Sequence, residues 1–156
     1  LEVLPCVPVM AAVFQAGVGF ALLLPALALT QGLPATALLL PVVLAPLVIL
    51  LLGLSWFLAA LGVYVRDVPH LMGMVLTVAL FLSPVFYPLS ALPEPWRTLL
   101  LANPLTLMVE ETRAVLILGR LPKWGALAVY LAVALMVCGL GFAWFQKTRK
   151  GFADVL

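Results

Sequence analysis

Apolar residues in this chain do not alternate with polar ones; they run on. Four stretches, roughly 7–29, 38–63, 70–87 and 124–145, hold no Asp, Glu, Lys or Arg. A helix crossing the ~30 Å hydrocarbon layer of a bilayer needs about 20 such residues. Each stretch is predicted as a membrane span, and the chain as an all-α polytopic membrane protein. The spans are apolar all round, so their pattern does not tell a lipid-facing side from a protein-facing one. Gln15 and Pro25 interrupt the first, and Pro41, Pro46 and Ser55 the second. A short turn over 30–36, with Gly32 and Pro34, suits a reversal between them.

Residues 88–123 break the pattern. Asn103-Pro104 is a strong helix start, with Asn as cap and Pro at the first helical position. Gly119 is a natural stop. The helix between them has about 15 residues and a length of ~22 Å, short for a crossing. Thr106, Glu110 and Arg113 follow at i, i+4 and i+7 and share a face, with leucines, Met108 and Val109 around them. Glu110, Glu111 and Arg113 against lipid at mid-bilayer would cost several kcal/mol. A segment that dips in and returns avoids that cost. With the piece before it, carrying Trp96, it is expected to form a re-entrant helical hairpin over 94–118 on the outer side. Two helices lying flat on the outer leaflet are the alternative. Ser83-Pro84 and Tyr87-Pro88, just before it, mark a bend or a plain helix end.

Composition sharpens the picture. Of 156 residues, 66% are hydrophobic and 9% charged, and the mean hydropathy is +1.28; soluble domains carry about 25% charged residues. A fold of this size cannot hide so much apolar surface from water, so the solvent is lipid and nucleic acid is no partner. Cys6 and Cys138 read as unpaired thiols. His70 has no neighbouring ligand types for a metal site. Lys147, Arg149 and Lys150 follow the last span directly, which places the C-terminus in the cytoplasm by the positive-inside rule. The segment between the first residue and Cys6, and the 64–70 loop, then lie on the same side. Arg97, Arg113, Arg120 and Lys123 on the other side match the cytoplasmic basic residues in number, so charge alone gives only a slight lean. The chain opens on Leu1 with no signal peptide ahead of the first run; it is expected to be the C-terminal portion of a longer protein.

Several function classes find no support. No HExxH, GxSxG or pair of aspartates inside a span occurs, so an intramembrane enzyme has no catalytic set. No two repeated halves with paired broken helices occur, as a secondary transporter would have.

Val65-Arg66-Asp67-Val68, Ser83-Pro84-Val85-Phe86-Tyr87-Pro88 and Asn103-Pro104-Leu105-Thr106 stand in this order, with Arg113 further along. Glu2-Val3-Leu4-Pro5 precedes them and Phe152-Ala153-Asp154-Val155 ends the chain. By these pieces the chain resembles the permease subunits of ABC-type polysaccharide exporters, which move lipid-linked O-antigen, capsular polysaccharide or teichoic acid across the cytoplasmic membrane. The resemblance implies a six-span permease with both termini inside. This chain would be a single transmembrane domain over 1–156, supplying the last four spans and the outer hairpin and lacking the N-terminal third. It implies a homodimer of permeases around a glycan channel, two copies of a separate ATP-binding cassette ATPase docked below, and a location in the cell inner membrane. An ABC permease for a smaller lipid or drug shares this architecture and is the alternative.

No GxxxxGK[ST] motif is present, so ATP and Mg are expected in the partner ATPase, with no cofactor or catalytic residue in this chain. Coupling to the ATPase falls to cytoplasmic surfaces: Glu2, Leu4 and Pro5, and the Arg66-Asp67 turn. Arg66 is either a coupling contact or a membrane-boundary anchor paired with Asp67. A sugar chain is met by aromatic rings whose polar tips stay wet. Trp56, Phe57, Tyr64, Phe81, Phe86 and Tyr87 are the supply, as channel lining or as packing; Tyr87 and Phe86 are the channel candidates. Glu110, Glu111 and Arg113 are the outer-gate candidates, with a purely structural Glu110–Arg113 pair as the other reading.

Overall fold

The computed structural model describes residues 2–30, 32–83, 93, 100 and 103–149. Among them the chain is all-α. The helices are α1 (Cys6–Thr30), a 3-10 helix (Ala35–Leu39) leading into α2 (Leu40–Tyr64), α3 (Val68–Phe81), α4 (Pro104–Leu116) and α5 (Trp124–Thr148). Among the described residues three segments are long and apolar enough to cross a membrane: α1, the 3-10 helix with α2, and α5. The expected third span is helical over Val68–Phe81; its remainder, from Pro84 on, lies outside the described residues, as do Phe86, Tyr87 and, Leu100 apart, the first limb of the expected hairpin.

Local chemistry accounts for the ends. Gly32 takes φ +80° in the turn after α1, a conformation that costs glycine little. The Thr30 hydroxyl donates to the Ala26 carbonyl at 2.9 Å and closes the last turn of α1. Pro41 sits in the first turn of α2 and Pro69 in the first turn of α3, where the missing N–H is one the helix would not use. Asn103 is extended, with φ −76° and ψ 122°, and its side-chain oxygen accepts from the Leu105 N–H at 3.0 Å.

The core is a parallel pair, α2 and α5. Val43 and Leu127 share one buried cluster, with Tyr130 packed on it. Gly53 meets the backbone of Cys138, Ala60 packs with Phe145, and the Tyr64 hydroxyl donates to the Thr148 carbonyl at 3.1 Å. Contacts advance together along both helices, so they run the same way. We call the end with the 3-10 helix and Lys123 the upper end, and the end with Tyr64 and Thr148 the lower. Since α2 finishes below and α5 starts above, the chain between them makes a net crossing, which α3 begins. Small residues permit the pairing: with no hydrophobic drive between helices in lipid, close backbone approach and packing hold them.

The remaining helices surround this pair. The upper half of α1 brings Phe20 and Leu24 against Ala37, Leu40 and Leu116, on which Leu44 also packs. Much of α1 is otherwise open; Phe14 and Leu22 are about three-quarters exposed. That surface suits lipid or further spans.

Candidate functional site

The site is α4 and what it touches. Its upper end is fastened to the 3-10 helix, where the Thr36 hydroxyl donates to the Val115 carbonyl at 2.8 Å. Its lower end reaches far down the core pair. Asn103, Pro104 and Leu107 line a cavity of about 630 Å³ together with Leu50, Leu54 and Val137. Leu50 and Leu54 lie ten and fourteen residues past Leu40, or ~15–21 Å along α2. The helix therefore rises from the middle of the spans to their upper end, as the second limb of a re-entrant hairpin would.

Asn103 does two jobs at the deep end. Besides capping α4, its Nδ2 donates to the Ala79 carbonyl at 3.2 Å. Among the described residues no backbone N–H takes that carbonyl past the end of α3. The Leu82 N–H goes to Val78 and the Ser83 N–H to Leu80, which skips Ala79. The Ser-Pro break thus releases a carbonyl in the apolar layer, and the Asn-Pro start supplies its donor.

The three charged residues of α4 separate. Arg113 donates to Glu110 Oε1 at 2.7 Å, one turn apart on the helix, and both side chains are partly covered. Arg113 also lines a groove of about 420 Å³ with Phe20, Leu23, Leu44 and Leu47. Glu111 turns inward instead. It is 3% exposed, and its Oε2 accepts from the Lys123 N–H at 2.9 Å, at the start of α5. Thr106, placed on the face of Glu110 and Arg113 by its spacing, is fully buried.

In the lower half of the bundle the Glu2–Pro5 segment is tied to both core helices, from Ser55 near mid-span down to Arg149 at the foot of α5. The Glu2 carboxylate accepts from Gln146 at 2.8 Å and from Arg149. The Glu2 carbonyl accepts from the Trp56 indole N–H at 3.0 Å, and the Pro5 carbonyl from the Ser55 hydroxyl. Leu4 is exposed. Arg66 and Asp67 are exposed in the turn between α2 and α3; among the described residues no ion pair joins them. All five coupling candidates thus lie toward one end of the bundle.

The aromatic supply divides as well. Trp56 stands edge-on to Phe142 with ring centroids 5.1 Å apart, and Phe57 tilts against Trp144 at 6.0 Å. With Tyr64 on Thr148, these rings hold α2 to α5, which is their packing role. Sequence reasoning missed Thr36 and Gln146, and it missed the purpose of Ser55. The available signal was their polarity in or beside apolar runs, since a polar side chain there needs a partner. Among the described residues no cluster of His, Cys, Asp and Glu could hold a metal ion.

Residues 7–117 match the family model of the ABC-2 type transporter. The chain is also similar to the O-antigen export system permease protein RfbA of Myxococcus xanthus, 35% identical over 72% of this chain and 46% of that protein. Two proteins of the same name from Klebsiella pneumoniae are 22% and 24% identical, covering 74% and 70% of this chain and 44% and 42% of their own lengths. The chain thus spans about half the length of the curated relatives it matches. With the family model covering most of its length and the apolar helices to go with it, the chain belongs to the ABC-2 type transporter family.

Proposed function

We propose that this chain is part of the membrane-spanning subunit of an ATP-driven exporter of lipid-linked polysaccharide such as O-antigen, capsule or teichoic acid. The observation that carries the reading is α4: a helix with a Glu110–Arg113 pair, sunk beside an apolar core pair to about mid-span. A glycan is polar and bulky, and its path through lipid needs sheltered polar groups of this kind. The names of the relatives point the same way. In this reading the upper end is the outer face, and α4 with the residues before it narrows the exit. The lower end is cytoplasmic, the C-terminus included. There Glu2, Leu4, Pro5, Arg66 and Asp67 receive the push of a separate ATPase, which carries ATP and Mg. Two permeases and two ATPases form the working unit in the inner membrane, and the full permease has two further spans ahead of this region.

The test is complementation. The full-length permease and its ATPase are expressed in a cell that assembles a lipid-linked glycan but lacks its own exporter. Glycan at the cell surface is then measured by antibody or lectin, and the internal lipid-linked pool by extraction. Surface glycan should rise and the pool should fall, both depending on the ATPase. An unchanged pool, with export of a small amphipathic drug instead, would replace the glycan by a smaller cargo.

A further inference from the structure

We propose that Glu111 is a positioning residue that locks the upper end of α4 to the start of α5, so that these two parts move as one body. A carboxylate buried to this degree is costly unless it is hydrogen-bonded. Its partner is the N–H of Lys123, whose own carbonyl accepts the first helical bond of α5, from the Leu127 N–H at 3.0 Å. Glu111 thus sits at the end of α5 where N–H groups lack helical partners and the helix dipole is positive, which suits an anion. The same turn of α4 is held elsewhere too. Thr36 binds the Val115 carbonyl, and the Arg120 N–H binds the Ala114 carbonyl at 3.0 Å. Gly119, at φ +61°, reverses the chain between α4 and α5. The deep end has a single described side-chain tie of this kind, Asn103 to Ala79, and it goes to α3 rather than to α5. The upper end of α4 is therefore a pivot, and movement of the limb is confined to its deep end or carried by α5. That α4 serves as an exit gate rests on the reading above; the lock itself does not.

The test uses the full-length permease assembled with its ATPase, with Cys6 and Cys138 replaced by Ala. Spin labels at Ile117 and Val129, both exposed, report the distance between the two parts, whatever the cargo. The parent should give one narrow distribution, the same without nucleotide and with a non-hydrolysable ATP analogue. Glu111→Gln keeps an acceptor and should match it. Glu111→Ala should broaden it. Lys123→Pro removes the donor along with an exposed side chain, at a φ of −75° that proline accepts, and should broaden it as well. The double variant should be no broader than the worse single one. Losing a charge-assisted bond should lower the ratio of locked to unlocked states about tenfold in the Ala and Pro variants. A parent distance that shifts with nucleotide would overturn the proposal, as would a narrow distribution in both Glu111→Ala and Lys123→Pro. Intact distances with no glycan export would instead sink the cargo reading and leave the lock standing.

Discussion

Gly53 and Gly141 touch backbone to backbone: a Cβ placed on Gly141 would lie 2.2 Å from the Gly53 carbonyl oxygen. A Cβ on Gly53 would in turn meet the Cα and the N of Cys138 at 2.6 Å. The two core helices pack as closely as they do because neither has a side chain at this crossing.

Gly141→Ala is predicted to force α2 and α5 apart and to cost about 1–3 kcal/mol. Gly139 is the control: nothing lies within 4 Å of its added Cβ. Gly139→Ala should be neutral or stabilising by up to ~1 kcal/mol, since Ala is the better helix former. Thermal unfolding of the purified permease in detergent reads both; equal effects would mean that the close crossing carries no stability.

Arg113→Ala should lower glycan export severalfold while ATPase binding is kept. It leaves Glu110 without its partner part-way down the spans, where an unpaired charge costs more than the ~1 kcal/mol of a water-exposed pair. Exchanging the two, Glu110→Arg with Arg113→Glu, should recover the folded yield. Normal export by Arg113→Ala at a normal protein level would remove the pair from the gate.

Asn103→Ala loses the cap of α4 and strands the Ala79 carbonyl, a combined cost of about 1–2 kcal/mol. Asn103→Ser should keep the cap and lose only the tie to α3. Hydrogen exchange at the Leu105 amide separates them: fast in the Ala variant, protected in the Ser variant. Equal protection in both would show that the side-chain oxygen is not the cap.

Trp56→Phe keeps a ring against Phe142 but removes the N–H that holds the Glu2 carbonyl, for a loss of about 1 kcal/mol. Glu2→Ala breaks a half-exposed ion pair with Arg149 and should cost less. If this corner transmits the ATPase stroke, both variants hydrolyse ATP in the complex at near-parent rates and export less. Export in step with ATP use in both would place coupling elsewhere, with Arg66 and Asp67 next to be tested.

Parts of the candidate site were legible beforehand. The Asn103 cap, the Pro104 start and the Gly119 stop are local rules, and the structure follows them within a residue or two. The described part of α3 stops at Phe81, just ahead of Ser83-Pro84. The charged trio was recognised but not sorted, because spacing along one helix says only which residues share a face. Which face meets α1, and which meets the start of α5, depends on neighbours.

The sequence by itself determined the solvent, the number of apolar runs and the ends of most helices. Each follows from hydrophobicity over ~20 residues or from capping within one turn, and neither needs a tertiary partner. The tertiary structure decided the parallel pairing of α2 with α5, the depth of α4, and the division of labour between Glu110 and Glu111. Spans that are apolar all round carry no stripe to mark their inner face. What selects that face in lipid is close contact, and Gly53 is seen to matter only once Gly141 stands opposite it.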